Sequence, residues 1–106
     1  MNEVAYTVRA VFEAEAVASE WVEWLRDGHL ADVCAGGATK AEVVRLDGAR
    51  IEIEVRYRFA SRESFQRYER EFAPKLRAEG LQLFPTSRGV AYARALGEIL
   101  LAHERE

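Results

Sequence analysis

The chain has 106 residues, of which 49% are hydrophobic and 31% charged, and its formal net charge is −3. This size and composition predict one soluble globular domain over residues 1–106 and exclude a disordered chain. The balance of 15 basic against 18 acidic residues gives no footprint for nucleic acid. Because no apolar run approaches the roughly 20 residues of a membrane span and no signal peptide is visible, we expect a cytoplasmic protein without a membrane partner.

The first third of the chain predicts a strand followed by a helix. Apolar residues alternate along residues 3–12, which is the period of a half-buried strand. A helical stripe follows, with one apolar face made of Val17, Trp21, Trp24 and Leu25. Gly28 is expected to end this helix, and His29 to Cys34 forms a short apolar turn after it.

The middle of the chain predicts a β-hairpin over residues 38–47 and 50–59. The second strand alternates cleanly, with apolar residues from Ile51 to Phe59 interleaved with charged ones. Asp47-Gly48 is a strong turn signal, and we expect a four-residue loop from Asp47 to Arg50.

A second helix and a last strand complete the pattern. Ser61 is a favourable N-cap, and the inward stripe of this helix is formed by Phe65, Tyr68, Phe72 and Leu76. Pro74 lies inside the stripe, so a kink or break is expected near Phe72-Ala73. Residues 88–96 alternate as a strand, and no element is assigned to the apolar tail at 99–101.

The predicted order β-α-β-β-α-β is that of the α+β ferredoxin-like sandwich, with a four-stranded antiparallel sheet in the order 4-1-3-2. Both helices then cover one face of the sheet, and we call the other the open face. That face is predicted to carry the polar residues Thr7, Arg9, Glu52, Glu54, Arg56 and Arg58 and the apolar residues Val11, Val44 and Leu46. A mixed surface of this kind is uncommon on a monomer, so we expect a homodimer about a twofold axis that buries both open faces.

Three stretches of the sequence carry a family resemblance. They are Trp21-Val22-Glu23-Trp24-Leu25, the segment His29 to Gly37, and the segment Tyr68 to Glu79, together with the closing Arg94-Ala95-Leu96. Over nearly the whole chain they resemble a bacterial family of unknown function, domain-of-unknown-function family 4286. That family resembles the dimeric α/β-barrel superfamily, which includes cofactor-free monooxygenases and small isomerases. The resemblance implies the fold, a bacterial source and a dimer, but no particular activity.

His29 and Asp32 are the candidate catalytic residues. They are three residues apart, so in a helical turn their side chains lie on one side. An aspartate beside a histidine can fix its tautomer and raise its basicity, as a general base requires. The simpler interpretation is a histidine that caps the end of a helix.

Other side chains are candidates for binding a ligand. Trp24 either packs in the core or forms a stacking wall for an aromatic ligand. Arg9, Arg56 and Arg94 could clamp a carboxylate or phosphate. Cys34, the single cysteine, is expected to be a buried and slowly reacting thiol. Two histidines and one cysteine are too few for a metal site, so neither a metal nor a cofactor is predicted.

Two functions of different classes follow from these observations. The first is a homodimeric barrel that binds a small polar or aromatic molecule and acts as a cofactor-free monooxygenase- or isomerase-like enzyme. Its site is expected between the open face and the helix end at His29. The alternative is a non-catalytic dimeric interaction or regulatory module, in which ion pairs and the partner's side chains fill the open face.

Overall fold

A computed structural model of the chain describes residues 2–105. Its strands are β1 (Val4–Phe12), β2 (Ala38–Arg45), β3 (Ile51–Phe59) and β4 (Val90–Glu98). Its α-helices are α1 (Glu15–Trp24), α2 (Leu30–Ala35), α3 (Arg62–Glu71) and α4 (Ala73–Leu83). A π-helical turn (Leu25–His29) joins α1 to α2, and a short 3₁₀ turn (Thr86–Arg88) precedes β4.

The four strands form one antiparallel sheet in the order β2-β3-β1-β4. This is the predicted order, and it confirms the ferredoxin-like α+β fold. The central pair, β1 and β3, is in register over nine residues from Val4 opposite Phe59 to Phe12 opposite Ile51. β4 begins and ends two residues later than predicted, at Val90 and Glu98.

Each of the two predicted helices is divided in two. The first breaks at Gly28, as expected, because the backbone there is not helical and the chain kinks; a further helix, α2, follows, so residues 30–35 are helical rather than a simple turn. The second breaks at Phe72, as expected from Pro74, which occupies the first turn of α4 where its missing N–H costs nothing. Ser61 caps α3, since its Oγ accepts a hydrogen bond from the Ser64 N–H at 3.1 Å.

The hairpin loop is one residue longer than predicted. Arg45 pairs with Ile53, and the Leu46 N–H donates to the Glu52 carbonyl at 2.9 Å. The longer loop places Val44 opposite Glu54 on the open face. It also turns Arg45 towards the helices, where its guanidinium forms a double hydrogen bond with Glu15 of α1. In this register Glu42 lies opposite Arg56, which is a favourable cross-strand pair of opposite charges.

The core lies between the sheet and the helices. The alternating apolar residues of β1 and β3 face it, as predicted, and they meet aromatic side chains from α1 and α3. Ring pairs cross this interface, with centroids 5.4 Å apart for Phe12 and Trp21 and 4.9 Å apart for Tyr6 and Phe65. Aromatic burial of this kind contributes large apolar area and holds the helices at a fixed height above the sheet.

The open face carries a continuous ion-pair network within the single chain. Glu52 and Glu54 are only 8% and 6% exposed, although no helix covers them. Arg9 contacts both carboxylates, at 3.1 and 2.6 Å, and Arg56 contacts Glu54 at 3.0 Å. Arginine side chains therefore lie flat over two glutamates, and the charges of this face already satisfy one another.

No helix in the described part of the chain, residues 2–105, is both long and apolar enough to cross a bilayer. After β4 the Ile99 N–H donates to the Glu3 carbonyl at 2.9 Å, and Leu100 and Leu101 are exposed. The tail at residues 99–101, to which the sequence assigns no element, therefore adds apolar surface beside the start of β1.

Candidate functional site

A cavity of about 60 Å³ lies between the sheet and the helices, on the side of the sheet opposite the open face. Its floor is formed by β1, β3 and β4, and its walls by α1, the π-helical turn, α3 and α4. Its lining includes Tyr6, Trp24, His29, Tyr57, Tyr68, Arg77 and Arg94. Tyrosine and tryptophan rings form six of its 15 lining residues and aliphatic side chains several more, so the cavity suits a flat apolar group.

Tyrosine hydroxyls are the first polar feature of the cavity. Tyr6 and Tyr57 lie directly opposite each other on β1 and β3, with their rings stacked at 5.9 Å. Of the four tyrosine hydroxyls, those of Tyr6 and Tyr92 have protein partners. Those of Tyr57 and Tyr68 have none within residues 2–105. Burial raises the pKa of both, that of Tyr68 to about 12, so both are protonated donors at neutral pH.

Two arginines supply positive charge. Arg77 of α4 donates to the Tyr6 hydroxyl at 3.1 Å and forms an ion pair with Glu69 at 2.7 Å. Burial acts to lower the pKa of Arg77, but these hydrogen bonds raise it overall, so the cation is held in place. Arg94 of β4 is exposed and lies close enough to Tyr68 to lower the pKa of that hydroxyl slightly. Arg94 forms no ion pair among the described residues, so it is the positive group available to a ligand.

His29 closes one side of the cavity. The chain kinks at Gly28, between these two residues, and the rings of Trp24 and His29 lie 4.1 Å apart at 22°. The Nδ1 atom of His29 is buried without a hydrogen-bond partner. Burial lowers the pKa of His29 to about 4, although the charge of Asp32 acts in the other direction. The imidazole is therefore neutral at pH 7 and can accept a proton or a hydrogen bond.

A second concavity, the outer pocket, lies on the other side of the same ring pair. Its volume is about 170 Å³, and it is lined by Trp24, Asp27, Gly28, His29, Asp32 and Glu79. Its rim carries the acidic residues Asp27, Asp32 and Glu79. The cavity between the sheet and the helices, called the inner cavity from here on, carries arginines instead. Trp24 and His29 belong to both linings, so they form the partition between the two spaces.

The six candidate residues fall into two groups on opposite faces of the sheet. Trp24, His29 and Arg94 line the inner cavity, and Asp32 joins the first two at the outer pocket. Arg9 and Arg56 instead belong to the open-face network described above. The site predicted between the open face and the end of the helix at His29 therefore does not form, because the sheet itself separates the two.

Sequence reasoning missed the polar floor of the cavity. The alternation of the strands predicts core positions for Tyr6, Tyr57 and Tyr92, and helical spacing places Tyr68 on an inward stripe. Nothing in the sequence pattern points to Arg77. A usable signal existed, because a buried tyrosine needs a partner for its hydroxyl and the predicted core offered few polar groups. Three inward tyrosines on neighbouring strands therefore indicate either a polar network or a site.

The prediction for Cys34 is wrong. Its side chain is exposed on α2, because that helix presents Val33 to the core and turns the neighbouring position outwards. Among residues 2–105 no group of three or more histidine, cysteine or acidic side chains could hold a metal ion.

Comparison with known families identifies the chain over most of its length. The model of the family described as Domain of unknown function (DUF4286) matches residues 3–99. The chain belongs to this family. No curated protein matches the sequence. Membership confirms the resemblance seen in the three sequence stretches, and it assigns no activity.

Solved structures show the same fold at low sequence identity. A dimeric ferredoxin-like protein from an uncultured marine organism is 13% identical with a TM-score of 0.77, covering 97% of this chain and 99% of that one. A mutant form of SnoaB, a cofactor-independent oxygenase from Streptomyces nogalater, is 13% identical with a TM-score of 0.72, covering 96% and 97%. A monooxygenase from the ActVA-Orf6 gene of Streptomyces coelicolor, in complex with Nanaomycin D, is 12% identical with a TM-score of 0.74, covering 99% and 94%.

Proposed function

We propose that this protein binds a small aromatic molecule with an acidic oxygen in the cavity between its helices and its sheet. The observation that carries this proposal is the set of unused polar groups on an aromatic lining. The hydroxyls of Tyr57 and Tyr68 and the guanidinium of Arg94 have no protein partner within the described chain. A few unpaired polar groups that face one cavity with an otherwise largely apolar lining are typical of a ligand site, so this set favours a ligand.

The chemistry of these groups defines the ligand class. The two tyrosine hydroxyls donate hydrogen bonds, and Arg94 adds a positive charge. A phenolate or carboxylate oxygen is the complementary acceptor, and the attached ring would stack on Trp24 or Tyr57. The closed cavity is smaller than a usual ligand site, so binding requires side chains at its wall to move.

A cofactor-free enzyme is the catalytic form of the proposal. His29 is neutral and has an unpartnered nitrogen at the cavity wall, so it can accept a hydrogen bond from a phenolic or carbon acid; its lowered pKa makes it a weak general base unless a bound anion raises that pKa. A deprotonated aromatic substrate can itself supply the electrons that reduce dioxygen, and two structural neighbours are named as oxygenases. Oxygen uptake with a panel of naphthols would separate this reaction from an isomerisation, which consumes no oxygen.

Ligand binding is tested by thermal shift with 1-naphthoate and 1-naphthol, because a ligand that binds only the native state raises the melting temperature. We expect 1-naphthoate to stabilise the protein and Arg94→Ala to abolish that shift. The matched control is Arg62→Ala, which removes an exposed arginine that lines neither space and should leave the shift unchanged. Equal shifts in both variants would refute the assignment of Arg94. No shift with any aromatic acid, in a protein that still dimerises, would favour the non-catalytic module.

We also propose that the protein is a homodimer that buries its open faces. On β4 the open face carries only small residues, Ala91, Ala93 and Ala95, which let a second sheet approach closely. The ion-pair network is already satisfied, so it can be covered without leaving an unpaired charge. Dimeric neighbours of the same fold support this arrangement.

Light scattering on a sizing column should report twice the chain mass of 12.0 kDa at micromolar concentration. Ala93→Arg places a bulky charge on the open face and should give the monomer mass. Ala78→Arg adds the same group at an exposed position of α4 and should leave the dimer intact. A monomer mass for the unmodified protein would refute the dimer, but not the binding cavity, which each chain forms by itself.

A further inference from the structure

Trp24 packs at the edge of the core and lines both the cavity and the outer pocket. Its ring is only half-buried, yet three groups surround it. It stacks on His29 at 4.1 Å, meets Phe84 at 5.6 Å, and lies against Gly80 of α4. A methyl group at Gly80 would lie 3.1 Å from the Trp24 Cη2 atom, closer than nearly all real contacts of that kind.

Gly80 therefore provides the space for this ring. Glycine is unfavourable in the interior of a helix relative to alanine, and Gly80 lies three residues before the end of α4. The three side-chain atoms nearest to the position of its missing Cβ all belong to the Trp24 ring. We call this space on α4 the seat of the ring. Gly80 has no side chain that could interlock with the Trp24 ring and fix it there.

The ring in this seat separates two spaces. On one side is the inner cavity of about 60 Å³, and on the other the outer pocket of about 170 Å³. Trp24 and His29 form the partition, so displacement of the Trp24 ring joins the two spaces into one elongated site. The partition also leaves the His29 Nδ1 buried without a partner, a state that displacement would relieve.

We propose that Trp24 is the specificity-determining residue of the site, and that the position of its ring sets the length of the aromatic ligand the protein accepts. With the ring on Gly80, the site takes a compact ligand held at Arg94 and the tyrosine hydroxyls. With the ring displaced, a ligand extends past His29 into the outer pocket. The acidic rim there, formed by Asp27, Asp32 and Glu79, disfavours a second anionic group, so the extension is neutral or cationic. This inference rests on the proposed function.

Two probes with the same anionic head and different lengths test it. Naphthalene-2-sulfonate is the short probe, and 6-anilinonaphthalene-2-sulfonate carries an additional aniline ring at the end of the naphthalene remote from the sulfonate. Dissociation constants are measured by titration calorimetry for the unmodified protein and for Trp24→Ala, Trp24→Phe, Gly80→Ala and Leu81→Ala. Leu81→Ala is the matched control, because it also removes an apolar side chain from the cavity wall but leaves the partition in place.

Trp24→Ala should raise the ratio of the affinity for the long probe to that for the short probe by about tenfold. Trp24→Phe should raise this ratio by less. Gly80→Ala presses a methyl group against the ring and disfavours its position on Gly80, so it should strengthen binding of the long probe selectively. Leu81→Ala should not change the ratio of the two affinities. If the Trp24→Ala protein does not fold, the Trp24→Phe and Gly80→Ala results decide the matter.

The outcomes separate this inference from the proposed function. If both probes bind and Arg94→Ala abolishes their binding, but no Trp24 or Gly80 variant changes their affinity ratio, the cavity is a site and Trp24 does not set its length. If neither probe binds any variant, the proposed function fails and this inference fails with it.

Discussion

His29 makes a prediction about stability that depends only on its surroundings and not on any ligand. Burial lowers its pKa in the folded protein to about 4, against 6.5 for the exposed side chain. Between these values the unfolded chain binds a proton that the folded chain does not bind. Acidification therefore favours unfolding, and the free energy of unfolding falls as the pH is lowered from 6.5 towards 4.

The size of this loss follows from the shift. One pKa unit corresponds to about 1.4 kcal/mol, which gives at most about 3 kcal/mol for His29. The ring is partly accessible to solvent, so we expect about 2 kcal/mol. That is a large share of the roughly 5–15 kcal/mol by which domains of this kind are typically stable.

Urea unfolding followed by tryptophan fluorescence at pH 7.5, 6, 5 and 4 measures the effect. The comparison is with His29→Gln, which has no titrating group and loses the Trp24 stack equally at every pH. Carboxylates that titrate below pH 5 contribute to both proteins, so they cancel in the difference. The unmodified protein should lose about 2 kcal/mol relative to His29→Gln between pH 7.5 and 4. Parallel curves would show that His29 titrates normally and is not desolvated.

Asp32 provides a second check on the same group. Its charge acts to raise the pKa of His29, against the larger effect of burial. Asp32→Asn should therefore lower that pKa further, and the loss of stability relative to the corresponding His29→Gln double variant should continue below pH 4. A loss that ends at a higher pH in Asp32→Asn would contradict the assigned direction of the interaction.

Three further predictions concern residues away from the cavity. Ser61→Ala removes the N-cap hydrogen bond of α3 and should cost about 1 kcal/mol in urea unfolding. Gly36→Ala would place a methyl group 2.9 Å from the Phe72 ring and should cost about 1–3 kcal/mol, whereas Gly97→Ala meets no atom within 4 Å and should change stability little. Cys34 should react stoichiometrically with 5,5′-dithiobis-(2-nitrobenzoic acid) in the native protein, because its side chain is exposed; slow labelling would contradict that placement.

The sequence predicts the sheet well because period-two patterning depends on local alternation. The charges of β3 fix its open face, and the apolar residues from Ile51 to Phe59 fix its core face. The hairpin loop is one residue longer than the turn signal at Asp47-Gly48 predicts, because that local signal does not fix the register of β2 against β3. The structure also satisfies Arg45 with Glu15, a contact that joins residues 30 positions apart and that no local pattern contains.

The candidate site is less predictable for a related reason. Helical spacing placed Trp24 on an apolar stripe, but the π-helical turn decides which residue stacks on it. The chain kinks at Gly28 within that turn, so the phase of α2 cannot be extrapolated from α1. Cys34 differs for a simpler reason: its apolar neighbours Val33 and Ala35 suggest burial, but on α2 only Val33 faces the core and Cys34 is exposed.

The arginines on the two faces of the sheet differ in whether they already have an ion-pair partner. This difference favours one face over the other for an anionic ligand. On the open face each arginine that approaches the centre is paired with Glu52 or Glu54, so a ligand carboxylate would have to displace a buried glutamate. Such an exchange replaces one charge-assisted pair by another and gains little. Arg94 is on the helix side and has no ion-pair partner in the described chain, so a ligand there gains an interaction without breaking one. The arginines of the open face therefore fit the proposed interface between two chains, and the cavity under the helices fits the proposed small-molecule site.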